Sequence, residues 1–259
     1  MSSPLIPSPG VRSFAVWRRN FRVWRKILLP SALGNFGEPL LYLMAFGYGF
    51  GQLVGDLGQL PYMAFLASGI ICSSTLFTAS FEAMYSAYTR MAGQQTWGAM
   101  LNAPLTVDDI VLGEILWAAT KGLMNATAIL IVAALLGLVA DLRALLALPV
   151  LAIAGFTFAA CAMVVTARSR SYDFFLYYFT LVLTPMLLTG GVFFPREQFP
   201  ELLQDLAYLL PLAHVVDLVR PLLTGGSLHA PLLHLLVIVA YGAVGLLVAT
   251  AAVRRRLVR

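Results

Sequence analysis

Six apolar tracts, at roughly 31–51, 62–84, 115–139, 144–167, 174–194 and 231–253, constrain this chain more than any other feature. A helix of about 20 mostly apolar residues crosses about 30 Å of hydrocarbon at about 1.5 Å per residue. Backbone polar groups inside a bilayer must pair within their own segment, so tracts of this kind fold as helices. Composition agrees, with 60% hydrophobic and 11% charged residues against about 25% charged in an ordinary soluble domain. No segment between the tracts is large enough for a soluble domain. The sequence therefore predicts an all-α integral membrane protein with six transmembrane helices in one domain over 30–259, preceded by a Ser/Pro-rich lead-in at 1–10.

Charge sets the expected orientation. With both termini cytoplasmic, Arg12, Arg18, Arg19, Arg22, Arg25, Lys26, Arg90, Arg168, Arg170, Arg254, Arg255, Arg256 and Arg259 fall inside. Arg143, Arg196 and Arg220 fall outside and Lys121 lies in a span. The opposite orientation would contradict the positive-inside rule. The net charge of +5 is thus topological and does not point to nucleic acid.

The flanking segments have their own patterns. In residues 11–29, Phe14, Trp17, Phe21, Trp24 and Leu28 recur at helical spacing opposite a basic face. That pattern predicts an amphipathic helix lying in the membrane interface, with Pro30 marking the turn into the bilayer. The first span is glycine-rich (Gly34, Gly37, Gly47, Gly49, Gly51), which permits close approach of another helix. Between the last two spans, about 200–210 and 211–223 read as two short external helices separated at Pro211, each apolar on one side only.

Several chemistries are missing. There is no phosphate-binding G-x-x-x-x-G-K-[ST] loop, and the only lysines are Lys26 and Lys121. His214, His229 and His234 lack metal-pair spacing, so no metal site is expected, and His229 and His234 read as interfacial. No nucleophile–base pairing suggests a catalytic residue. Cys72 and Cys161 read as packing residues inside spans.

Ionisable residues within spans are costly and therefore informative. Glu38, Glu82 and Lys121 all sit about 10–12 Å from the cytoplasmic ends of their spans, counted at about 1.5 Å per residue. A Glu82–Lys121 pair would neutralise both, with Glu38 joining it or facing a cytoplasmic substrate entry. The aromatic start of the fifth span, including Tyr172, Phe175, Tyr178 and Phe179, is either an interfacial belt or a stacking surface beside a substrate path.

The stretch QQTWGAMLNAPLTVDDIVLGE, Gln94–Glu114, is a polar island between two apolar tracts. Gln94, Gln95, Thr96, Trp97, Met100, Leu101 and Asn102 form a predicted short helix ending before Pro104, with Trp97, Met100 and Leu101 on one side. Thr106 with Asp109 predicts an N-cap for the following helix. The island is over twice the length that joining two helices requires, about 2–8 residues. It is therefore read as a docking surface with Trp97 as its anchor.

The order of these features resembles the permease subunit of type-2 ABC exporters, and most nearly the nodulation-factor (NodJ-type) exporter permeases. The resemblance is carried by GEPLLYLMAFGYGFG, the Gln94–Gly122 stretch, GGVFFPREQFP and LPLAHVVDLVRPLLTGG, which are spread over nearly the whole chain after residue 10. It implies a homodimer working with two copies of a separate ATPase in the inner (cytoplasmic) membrane, with no cofactor in this chain and ATP and Mg on the partner. It also implies a cytoplasmic coupling helix after the second span. The implied substrates are lipo-oligosaccharides, lipid-linked polysaccharides or drugs. A passive channel or membrane scaffold without an ATPase is the alternative of another class.

Overall fold

The computed structural model describes residues 10–49, 56–57 and 60–257; within the helix Leu28–Gly49 the side chains at 31–36, 38–39 and 46–48 lie outside that description. In chain order the helices are α1 (Ser13–Arg25), α2 (Leu28–Gly49), α3 (Tyr62–Gly93), α4 (Thr96–Leu101), α5 (Val107–Leu135) and α6 (Leu142–Arg168). They continue with α7 (Asp173–Thr189), α8 (Glu201–Tyr208), α9 (Pro211–Thr224) and α10 (Pro231–Leu257). Asp56–Leu57 and Leu60–Pro61 pair as a small antiparallel hairpin before α3.

Among the described residues, α3, α5, α6 and α10 are long and apolar enough to cross a membrane, and α8 with α9, bent by 89°, would add one broken span. The first tract forms α2, although much of its side-chain detail, including Glu38, lies outside the description. The fifth tract yields only the 17-residue α7, which ends at Thr189 and not at 194. Gly190 and Gly191 terminate it, the latter with φ at +78°, where a side chain would be strained.

Other boundaries also move. Pro30 lies in the first turn of α2, where no intrahelical N–H is needed, so the break from α1 falls earlier, around Lys26 and Ile27. α3 runs on to Gly93 through two π-helical segments, Glu82–Ser86 and Thr89–Gly93. Thr166 of α6 donates to the Ala83 carbonyl at 2.7 Å, beside the first of these widened turns. α5 starts at Val107, two turns before the expected tract. Its Thr106–Asp109 capping box is complete, and Asp109 also accepts from Gly10 N at 2.6 Å.

The buried core runs between α3, α5, α6, α9 and α10. α1 does not simply lie on lipid. Ser13, Val16 and Asn20 face α5, where a Cβ at Gly113 would sit 2.6 Å from the Ser13 carbonyl oxygen. The aromatic stripe flanks that contact. Phe14, Trp17 and Phe21 stack in series, Phe21 and Trp24 meet Trp117 edge-on, and Trp17 Nε1 donates to Thr120 Oγ1 at 3.0 Å. Part of the aromatic face expected at the membrane interface therefore has a partner on α5, while Phe14 stays exposed.

Candidate functional site

Two π-helical segments in one helix are unusual, and such turns are often found at functional sites. In a regular α-helix, residues eight apart are about 80° out of line. The wider turns of α3 reduce this offset and bring Glu82 and Arg90 together, with Arg90 Nη2 donating to Glu82 Oε1 at 2.9 Å.

Around this pair the structure assembles a buried ionic cluster. Glu82 Oε2 accepts from Lys121 Nζ at 2.9 Å, and Glu82 Oε1 also accepts from Trp117 Nε1 at 2.9 Å. Glu114, fully buried, accepts from Arg90 Nε at 3.0 Å and from Arg90 Nη2 at 2.6 Å. It also takes Trp97 Nε1 at 3.1 Å and Asn20 Nδ2 at 3.0 Å. Two carboxylates face two cations, so the cluster is formally neutral, which is the condition under which charges survive burial. The Glu82–Lys121 pair was visible in the depth of the two residues. Arg90, read from the sequence as a cytoplasmic loop residue, and Glu114 were not expected in it.

The cluster is also a wall. On one side lies a cavity of about 320 Å³ lined by hydroxyls (Ser73, Ser74, Thr78, Ser86), by aromatic rings (Tyr42, Phe77, Phe81, Tyr85, Phe193) and by Asn125. Asn125 donates to Thr78 Oγ1 at 2.8 Å, while its own buried carbonyl oxygen has no partner among the described residues. On the other side, a hollow of about 280 Å³ opens between α1 and α3, bounded by Arg19, Trp24, Arg90 and Gln94. Glu82, Ser86 and Lys121 line both spaces.

The other residues singled out from the sequence fall as follows. Trp97 is fully buried against its own chain, so it cannot be an exposed docking anchor; the carboxylate of Glu114 claims its N–H. Met100 and Leu101 are half-buried, and Gln94, Gln95, Gly98, Ala99 and Asn102 form the exposed side of the short helix. Gln95 precedes it with φ at +50°. Phe175 is buried edge-on to Tyr85 and Tyr88, so it is packing rather than path surface. Phe179 stacks on Phe81, and Tyr178 is half-buried. Tyr172 is exposed, stacks on Tyr85 and bonds Thr89 Oγ1 through its hydroxyl at 2.8 Å. The fifth-tract aromatics therefore back the cavity rings and do not line the cavity.

At the far end, in the first turn of α10, His234 is buried against α9. Its Nδ1 lies 2.7 Å from His214 Nδ1 and 3.8 Å from Asp217, which is ion-paired to Arg196. His214 Nε2 must donate to the Tyr208 carbonyl, 2.8 Å away, so in a neutral pair His234 donates to His214. Arg220 lies over the Phe65 ring at 3.6 Å and donates to Ser68 Oγ at 2.9 Å and to the Gly191 carbonyl at 2.6 Å, pinning α9 to α3.

Helices long and apolar enough to cross a membrane, packed around a neutral ionic cluster beside a polar cavity, suit a membrane transport component. Comparison with known proteins agrees. The chain matches the ABC-2 type transporter family over residues 12–224 and belongs to it. It is 48% identical over 259 residues to Nodulation protein J of Rhizobium leguminosarum bv. viciae, covering 100% of both chains. It is 44% identical over 252 residues to Nodulation protein J of Rhizobium meliloti (strain 1021), covering 97% of this chain and 96% of that one. It is 26% identical over 211 residues to Inner membrane transport permease YadH of Escherichia coli (strain K12), covering 77% and 76%. The protein is a multi-pass membrane transport permease, not itself an enzyme, of a family whose permeases work with an ATPase subunit.

Proposed function

We propose that this permease exports an amphipathic, lipid-linked substrate of the lipo-oligosaccharide or polysaccharide type across the inner membrane, driven by ATP hydrolysis in a separate subunit. Two copies of the chain pair with two ATPase copies, which carry the ATP and Mg. Each chain has six spans with both termini cytoplasmic. The glycines of α2 suit the seam between copies, since among the described residues nothing lies within 4 Å of where a Cβ on Gly37 or Gly49 would point.

The observation that carries the reading is the unbroken run of buried polar contacts from the short loop helix to the cavity. Trp97 on α4 bonds Glu114, Glu114 holds Arg90, Arg90 holds Glu82, and Glu82 holds Lys121 at the cavity wall. In this reading the ATPase presses on the exposed side of α4, at Gln94, Gln95, Ala99 and Asn102. Trp97 transmits the displacement inward. The cavity's hydroxyls and rings match a sugar, since aromatic faces stack on sugar rings and hydroxyls exchange hydrogen bonds with them. Glu38 is proposed to face the cytoplasmic entry, with Tyr172 and Tyr178 flanking the route.

The test is reconstitution with the cognate ATPase in proteoliposomes, following ATP-dependent movement of a labelled lipo-oligosaccharide. The reading predicts movement that stops when Glu82 and Lys121 are both replaced by Gln and Met. ATP-independent conductance by the permease alone would establish a channel instead. Export of apolar drugs without any sugar-bearing lipid would move the substrate assignment to a multidrug type.

A further inference from the structure

One surface lies apart from the ionic cluster. Where α6 ends and the last turns of α10 pass beside it, a groove of about 590 Å³ opens between Arg168, Arg170 and Arg255, with Val248, Ala251 and Ala252 as its floor. Its neighbouring cations are already committed. Arg256 Nη1 donates to the carbonyls of Thr166, Ala167 and Ser169 at 3.2, 3.2 and 2.6 Å, closing the C-terminus of α6. Arg254 pairs with Asp108 on α5. By contrast, Arg168, Arg170 and Arg255 are exposed and, among the described residues, make no hydrogen bond or ion pair and meet no carboxylate in the groove.

We propose that this groove is a binding site for one anionic phospholipid, its phosphate held by Arg168, Arg170 and Arg255 and an acyl chain lying along Val248, Ala251 and Ala252. Two observations select a lipid over a protein partner. First, the floor continues into the face of α10, a candidate span only 28% buried, with Val244 and Leu247 exposed on it. Second, the cations stand at the end of that apolar wall, so only a molecule that is apolar along one part and anionic at its head satisfies both. Basic pockets between spanning helices bind anionic headgroups in this way. The alanines matter because their small side chains leave the hollow. The inference depends on the chain's being in a membrane, not on what it transports.

The experiment uses the full-length permease in neutral detergent and native mass spectrometry, with phosphatidylglycerol and phosphatidylcholine of matched acyl chains. Phosphatidylglycerol should bind at least about tenfold more tightly than phosphatidylcholine. Each arginine removed should weaken it by about fivefold, so that R168Q/R170Q/R255Q loses about a hundredfold. Ala251→Leu, which leaves every charge in place, should lose the same preference by filling the floor. If the triple variant does not elute as folded protein, Arg255→Gln alone and Ala251→Leu decide the matter. Equal binding of the two lipids would overturn the proposal, as would a phosphatidylglycerol preference that survives these substitutions. Displacement of the lipid by millimolar inorganic phosphate would also sink it, because the site would then read the phosphate and not the lipid. So would loss of ATPase-subunit binding in the triple variant with lipid preference intact, since the groove would then receive protein.

Discussion

Replacing Glu114 by Gln tests the ionic cluster most directly. The carboxylate is fully buried and accepts from Arg90, Trp97 and Asn20. Gln keeps the shape and one acceptor oxygen but removes the charge, turning a neutral buried set of four into one of net +1. Removing one member of a buried ion pair costs about 3–5 kcal/mol, because the other is left uncompensated. Arg90 keeps Glu82 at 2.9 Å, and its side chain is 13% exposed, which places the expectation at the low end, about 3 kcal/mol. For a domain of this size that lowers the melting temperature by about 6–12 °C. Thermal unfolding in lipid nanodiscs measures it. The double variant Arg90→Met, Glu114→Leu should melt above either single variant, since both charges leave together. If Glu114→Gln melts within about 2 °C of the wild type, or if the double variant shows the simple sum of the single losses, the cluster does not hold the fold together as described.

Three further outcomes follow from the same contacts. Trp97→Phe keeps an aromatic ring buried but loses the bond to Glu114 and part of the indole's packing, so it should cost at least about 1.5–3 kcal/mol and leave ATPase-subunit pull-down intact; Ala99→Trp, on the exposed side, should abolish pull-down with stability unchanged. Asp109→Ala removes the reciprocal cap and the bond from Gly10, an expected loss of about 1 kcal/mol seen as faster amide exchange confined to the first turn of α5. Gly113→Leu drives a side chain into the Ser13 carbonyl and Val16, and should free α1 to limited proteolysis at its arginines; an unchanged digestion pattern would mean that α1 is held elsewhere.

How much of this was readable from residues alone depends on which physical quantity each feature expresses. Hydropathy is additive along the chain, so the long apolar tracts and the Thr106–Asp109 cap could be located without coordinates. The Glu82–Lys121 pair could also be found, because two charges at equal depth in hydrocarbon have little choice but each other. The remaining half of the cluster was hidden by backbone geometry. No residue pattern announces the π turns that swing Arg90 under Glu82, so Arg90 was counted with the loop. Glu114 stands just before the predicted tract 115–139, where nothing in the residue pattern marks it as buried. Trp97 shows a different limit. Helical periodicity identifies the side of a helix that wants cover, but not whether the cover comes from another protein or from the same chain 17 residues on. His214 and Asp217 share α9, but His234 lies beyond the turn on α10, so its approach to them is a matter of tertiary packing. These misses converge on one point. A polar island that looks like an outward-facing loop is attached at its base, through Trp97 and Glu114, to the charges lining the cavity, and that attachment is the route the proposed coupling would use.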